Sequence, residues 1–279
     1  MNYYSLISSM SKIAPIIWDA DALTFISNAS ITNDTQKSAI NTLVTDLKSA
    51  NIWSKMKAIY PFVGGTASQH KFNLKDPRDD NSAFRLTFSG GGTHTSNGYV
   101  MNGTDSYANT FFNPSLISGW KDNHNISIYL NTSTPYGGGW HIGYGDTLTG
   151  NPLYGLAVRR SLTPDTDKLI YDSGNISQYG RIFATISDAK GLWAGNARTS
   201  SIREIYKNNT VVSSNYLFTV IGTPQNDVMT IGGIVSGITQ YFLSGINSFT
   251  AFSSGMNNTE ASNFYTAVQT YQATLGRAA

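Results

Sequence analysis

The chain has no cysteine among its 279 residues. That excludes a disulfide framework, a thiol nucleophile and thiolate metal ligands, and leaves the redox compartment open. Charge is also scarce, at 13% Asp, Glu, Lys and Arg against roughly a quarter in ordinary globular proteins. The formal net charge is only +2 and no basic stripe is visible, which argues against a nucleic-acid binder. Glutamate occurs twice, at Glu204 and Glu260. No apolar run approaches the ~20 residues of a membrane-crossing helix, so no membrane span is expected. The segment Met1-Asn2-Tyr3-Tyr4-Ser5-Leu6 lacks a basic stretch followed by an apolar core, so no secretory signal is expected either. A protein of this kind acting outside a cell would leave its producing cytoplasm by another route, such as lysis.

Ser, Thr, Asn and Gly take the place of the missing charges, together with 16 Tyr. Such a surface is neutral, rigid and rich in hydrogen-bonding groups, and it suits extracellular or virion proteins that touch glycans or other proteins. An apolar content of 40% is enough for a real core, and all-β domains of this length fold as single units.

The clearest pattern runs from Met229 to Leu275. Met229-Thr230-Ile231-Gly232-Gly233 and Tyr241 to Phe252 read as paired strands. Their phase slips once between Ile246 and Phe249, which implies a bulge near Gly245 or a strand buried on both sides. Asn257 with Glu260 forms a capping box, Ala261, Phe264, Val268, Tyr271 and Leu275 follow at helical spacing, and Gly276 ends the helix. Near the start, Asp19 to Ala29 reads as a short helix. Asn33 with Gln36 opens a second, striped by Ile40, Leu43, Val44 and Leu47. Short strands then follow. Ala58 to Val63 reads as an edge strand because of Pro61, and Phe84 to Phe88 alternates strictly. Tyr99-Val100-Met101 leads through Asn102-Gly103, a hairpin signal, to Ser106–112. Further strands are expected at 126–130, 140–144, 154–159, 168–171, 181–186 and 192–197, and a hairpin turns at Asn208-Asn209. Many short strands with turn signals between them argue an all-β sandwich with a helical segment at its N-terminal side and a helix at its C-terminal side. The expected division is residues 1–58 as an arm with helices and residues 59–279 as the β domain.

Several stretches carry a family likeness. Tyr206-Lys207-Asn208-Asn209-Thr210-Val211-Val212 resembles a hairpin of laminin-G-like and concanavalin A-like jelly rolls, and the run from Phe242 to the Glu260 helix resembles their closing strand and helix. Ala58 to Gly65, Asn73-Leu74-Lys75-Asp76-Pro77-Arg78-Asp79, and Thr259 to Tyr265 closing on Leu275-Gly276-Arg277 are similar to virion proteins of tailed bacteriophages with this fold. The likeness covers about residues 32–279. It implies a concanavalin A-like jelly-roll sandwich displayed on the particle as a capsid decoration or tail component. The implied partners are other virion proteins, with oligomers on the particle and contacts to host or environmental glycans; no cofactor is implied. Its motifs are structural, and fold alone does not assign function.

Within that setting, residues 1–18 form an apolar arm without periodicity. Leu6, Ile7, Met10, Ile13, Ile16, Ile17 and Trp18 are too many to leave in water, so the arm is expected to anchor the protein on the particle or to be covered by the domain itself. A glycan-degrading enzyme is the alternative, but such enzymes pair two carboxylates. Neither glutamate has a carboxylate two residues away, Glu260 is accounted for as a helix cap, and Asp165 and Asp167 lie in a turn with proline. His70, His94, His124 and His141 are scattered, and no nucleophile elbow accompanies them. The reading is therefore of a non-enzyme. Asp76, Asp79 and Asp80 form the densest carboxylate cluster. They suit a calcium loop, but no full set of oxygen ligands is visible, and a turn neutralised by Arg78 is the preferred reading. From Tyr136 to Asp146, glycines surround Trp140, His141, Tyr144 and Asp146. This stretch is either a sugar-recognition segment, with stacking aromatics and polar partners, or a strand with Trp140 in the core.

Overall fold

The computed structural model describes residues 17–132, 137–146, 151–161, 166–175, 181–217, 222–236 and 239–279. Helix α1 (Ala20–Asn28) starts where the Asp19 carboxylate accepts the Asp21 amide, and α2 (Asp34–Ser49) starts where Asn33 accepts the Gln36 amide. Lys48 ties the two together, 2.7 Å from Asp19 and 2.6 Å from Asp21. The stripe of Ile40, Leu43, Val44 and Leu47 is fully buried. Among the described residues no helix is long and apolar enough to cross a membrane.

The strands follow in chain order: β1 (Met56–Tyr60), β2 (Thr87–Ser89), β3 (Thr93–Thr95), β4 (Gly98–Asn102), β5 (Tyr107–Asn109) and β6 (His124–Leu130). Next come β7 (Ile142–Asp146), β8 (Asn151–Arg160), β9 (Lys168–Asn175), β10 (Arg181–Thr185), β11 (Gly191–Ala197), β12 (Arg203–Lys207) and β13 (Thr210–Asn215). The last are β14 (Thr230–Ile231), β15 (Gly233–Ser236), β16 (Thr239–Phe242) and β17 (Ser244–Ser253). A one-turn helix, α3 (Ala67–His70), follows β1, and α4 (Asn258–Thr274) closes the fold. One sheet runs β13-β12-β11-β6-β17-β4-β3, with β1 also beside β17; the other runs β10-β9-β8-β7-β14-β5-β2. Their pairings are antiparallel. This is a jelly-roll-like β-sandwich with helices before its first strand and after its last, as the strand pattern and the resemblance imply.

The inner strands of the first sheet are buried on both faces, and period-two alternation sorts their side chains. Ala58, Tyr60, Ile126, Ile128, Trp193 and Phe252 face the second sheet. Ile59, Tyr129, Leu192, Phe249 and Ala251 face α1, α2 and α4. Between Asn247 and Phe249 the register of β17 against β6 shifts, leaving Ser248 unopposed. The phase slip in the sequence is this bulge, three residues from Gly245. Asn247 holds it, accepting the Phe249 amide at 3.1 Å and donating to Thr250 Oγ1 at 2.7 Å. The Ser248 carbonyl accepts from Gln272 on α4 at 3.2 Å.

Helix α4 has both halves of its capping box at Asn257 and Glu260. It ends as a Schellman turn, with Gly276 at φ 68°, its amide on the Ala273 carbonyl and the Arg277 amide on Gln272. The turn drives Arg277 inward to 1% exposure, where its guanidinium donates to the Phe62 carbonyl at 2.9 Å and reaches Pro61, Ser96 and Ser248 at 3.4 Å.

Four expectations need correction. Asn102-Gly103 does not turn a hairpin, because β4 lies in the first sheet and β5 in the second. The Asn102 side-chain oxygen accepts the amides of Thr104, Asp105 and Ser106 and turns the chain from one sheet to the other. Phe84 to Leu86 is not strand: Asp80 caps a tight turn that leaves Phe84 left-handed at φ 60°, and only Thr87–Ser89 pairs. In the Met229–Gly233 stretch, β14 joins the second sheet, and the last two residues reach the later strand: the Gly232 carbonyl accepts the Leu243 amide and Gly233 pairs with Phe242 in the β15–β16 hairpin. The division at residue 58 falls inside β1, and one apolar cluster joins Phe25, Leu43, Ile59, Phe249 and Phe264 across it.

Phe264 is 2% exposed and meets Phe249 with ring centroids 6.1 Å apart. Phe264→Ala should therefore cost about 3–5 kcal/mol, read as a lower denaturation midpoint with an unchanged slope.

Candidate functional site

Trp140, His141 and Tyr144 lie in the interior, at 3%, 0% and 0% exposure. Trp140 packs with Leu153, Ala157, Ile170 and Ile234 beneath the β15–β16 hairpin. His141 Nδ1 accepts the Val158 amide at 3.0 Å. Tyr144 stacks on Tyr154, centroids 5.5 Å apart and planes 3° from parallel. The glycine before them serves packing as well, since a Cβ on Gly139 would strike the Phe242 backbone carbonyl. Buried side chains offer no face to a sugar, so this stretch moves from recognition candidate to core; the Asp146 side chain lies outside the described residues. Of the arm, Leu6, Ile7, Met10, Ile13 and Ile16 also lie outside them, while Ile17 is exposed and Trp18 half-buried.

The three aspartates are each matched by a cation. Arg78 reaches Asp76 at 2.6 Å and Asp80 at 3.4 Å, and Asp79 takes Lys71 at 2.5 Å and Arg85 at 3.3 Å. Among the described residues no cluster of three or more His, Asp or Glu has metal-binding geometry. Glu260 caps α4 and meets Lys55 at 2.6 Å. Glu204, 1% exposed, accepts from Arg198 at 2.8 Å, Tyr206 at 3.0 Å, Asn196 at 3.3 Å and Tyr216 at 3.3 Å.

A different surface stands out. The edge strands β10 of one sheet and β13 of the other lie on the same side of the sandwich. Between them is a groove of about 530 Å³, lined by Arg181, Phe183, Ser213, Ser214, Asn215 and Tyr216 among others. That size falls within the ~300–1,000 Å³ typical of ligand sites. Phe183 is 56% and Tyr216 54% exposed, and Val211, Val212 and Leu217 are exposed close by. Tyr216 is held by its hydroxyl on Glu204. Phe183 carries the Lys168 ammonium 5.2 Å from its ring centroid, and Lys168 also donates to Thr185 at 2.8 Å. Arg181 forms a two-pronged pair with the fully buried Asp172, both bonds 2.9 Å. Two signals in the sequence point to this groove: the alternation that sets Phe183 opposite buried Ile182, and a charge-free run from Thr210 to Leu217.

No protein-family model matches the chain, and no curated protein sequence matches it. Among solved structures it is similar to a mutant of Trypanosoma rangeli sialidase displaying trans-sialidase activity, at TM-score 0.54 and 10% identity over 83% of this chain and 39% of that one. The botulinum neurotoxin serotype D binding domain is similar at TM-score 0.51 and 12% identity, over 77% of this chain and 52% of that one. Domain 4 of AbnA, a GH43 extracellular arabinanase from Geobacillus stearothermophilus, in complex with arabinotriose, aligns at TM-score 0.48 and 14% identity over 75% of this chain and 98% of that one. The chain thus spans about half of the toxin domain and two-fifths of the sialidase. At these identities the likeness is one of fold.

The histidines are structural. His70 and His94, distant in sequence, meet with Nδ1 atoms 3.0 Å apart. His70 Nε2 accepts the Gly65 amide, so His70 Nδ1 carries the proton and donates to His94. His124 donates from Nδ1 to the Trp120 carbonyl and accepts the Tyr171 hydroxyl at 2.6 Å. Burial holds His70, His124 and His141 at about 3. Between about pH 3 and the unfolded value near 6.5, the unfolded chain binds more protons than the folded one, so stability rises with pH in this window. Each histidine should remove up to about 1.4 kcal/mol per pH unit as pH falls below 6.5. Urea denaturation at pH 7.5, 6 and 5 should show a falling midpoint; a flat profile would contradict these placements.

Proposed function

We propose that this protein is a glycan-binding β-sandwich displayed on the surface of a tailed-phage virion, with the sugar held in the groove between β10 and β13. The observation that supports it is the pair of exposed rings, Phe183 and Tyr216, beside the hydroxyl and amide groups of Ser213, Ser214 and Asn215. A sugar ring has a flat C–H face edged by hydroxyls, and an aromatic platform beside small polar side chains complements both. A neutral surface and a fold shared with a sialidase and a toxin binding domain are compatible with this reading. The apolar arm from Leu6 to Trp18 supplies the attachment to other virion subunits.

The reading is of binding without hydrolysis. Hydrolysis by the two-carboxylate route needs one carboxyl as acid and another as nucleophile or base. Here Glu204 is occupied by four donors, Asp172 by Arg181, and Glu260 by its helix cap and Lys55.

A glycan array with a parallel hydrolysis assay tests the activity. Binding should weaken about tenfold in Phe183→Ala and in Tyr216→Ala, with no sugar released. Deleting residues 1–18 should leave cooperative melting intact and abolish co-sedimentation with virions; normal incorporation of the truncated chain would remove the arm as anchor.

A further inference from the structure

Every described cation at the β10–β13 groove is already engaged within the protein. Arg181, the cation lining it, directs both prongs of its guanidinium at Asp172, and that carboxylate is fully buried. Withdrawing the guanidinium to hold a ligand would take two charge-assisted hydrogen bonds from a buried carboxylate. Arg198, behind Tyr216, is held by Glu204. Lys168 sits over the Phe183 ring and donates to Thr185. A carboxylated, sulfated or phosphorylated sugar is normally recognised by a guanidinium fork or an ammonium directed at the anion. The described lining offers two hydroxyls, one amide, the outer backbone edges of β10 and β13, and two rings.

We propose that the ligand class of this groove is an uncharged oligosaccharide. Sugar rings stack on Phe183 and Tyr216, and their hydroxyls bond to Ser213, Ser214, Asn215 and the free strand edges. Glu204 is a positioning residue: its carboxylate, itself fixed by Arg198, Asn196 and Tyr206, accepts the Tyr216 hydroxyl and holds the ring as a platform. This rests on the glycan-binding reading above, and it separates the chain from its sialidase neighbour, whose name points to an acidic sugar.

The test uses the full chain and its Phe183→Ala, Tyr216→Ala and Tyr216→Phe variants on an array carrying neutral, sialylated, uronic and sulfated glycans. Sedimentation velocity and melting are measured on each protein. Signals lost in both alanine variants, with the fold retained, define the ligands of the groove. The expected result is that these are all uncharged, that each alanine variant binds them about tenfold more weakly, and that Tyr216→Phe falls in between because its ring stays but its anchor is lost. Acidic glycans among the groove-dependent signals would overturn the ligand class while leaving glycan binding in place. Binding untouched by the alanine variants would overturn the groove as its site. No binding at all would overturn both readings. A wild-type dimer that becomes monomeric in Tyr216→Ala would instead assign the two strand edges to a second copy of the chain.

Discussion

The fold depends on a sheet whose inner strands must be dry on both faces. β17 is its central strand, paired with β6 on one side and with β4 and β1 along successive stretches of the other. One set of its side chains completes the sandwich core, and the alternate set seats the helices. A strand with two buried faces cannot keep one alternation phase while serving partners of different register, and the extra residue at Ser248 absorbs the mismatch. The bulge in turn needs donors for its displaced backbone. Gln272 and Arg277 supply them, so the closing helix is positioned by hydrogen bonds as well as by Phe264 and Tyr271.

A chain with few charges handles its buried ones in a consistent manner. Arg277 and Arg203 are almost fully buried, and backbone carbonyls take much of their donor capacity. Arg203 reaches Lys121, Thr199 and Ile202 together with the Ser173 hydroxyl. A guanidinium has five donors in a rigid fork, which suits it to gathering carbonyls left over where loops cross the end of a sandwich. The interior histidines, each neutral, satisfy backbone groups of both kinds: His70 and His141 accept amides, and His124 donates to a carbonyl. Loop satisfaction is thereby coupled to pH.

Coverage also decides where a ligand could dock. The helices cover one face of the first sheet, and the β15–β16 hairpin covers part of the outer face of the second. The edges at β2 and β3 are three residues long. The longer edges, β10 and β13, are side by side, and β13 carries no charged or proline residue of the kind that usually blunts an exposed strand. Exposed aromatic and aliphatic side chains gather on this side, which gives the molecule a polarity that its composition does not reveal.

What the sequence determined by itself is the set of local choices. Caps at Asn33 and Asn257, the glycine at 276, the Asn208-Asn209 turn and most strand positions depend on neighbours within a few residues, and they are readable because backbone sterics and short-range hydrogen bonds act at that range. The phase slip before Phe249 was legible for the same reason. Sheet membership was not. Asn102-Gly103 has the chemistry of a hairpin, but its destination depends on whether Tyr107–Asn109 finds β4 or β14, a matter of partners more than a hundred residues apart. Burial of Trp140, His141 and Tyr144 was undecided in sequence because glycine and aromatic residues serve a close-packed core and an open sugar site equally well. Tertiary structure settled it through the Phe242 backbone that presses on Gly139. The alternation at Phe183 and the charge-free run from Thr210 to Leu217 mark the two walls of the groove separately, but Phe183 and Tyr216 come from edges of different sheets, and only the stacking of those sheets brings them to one surface.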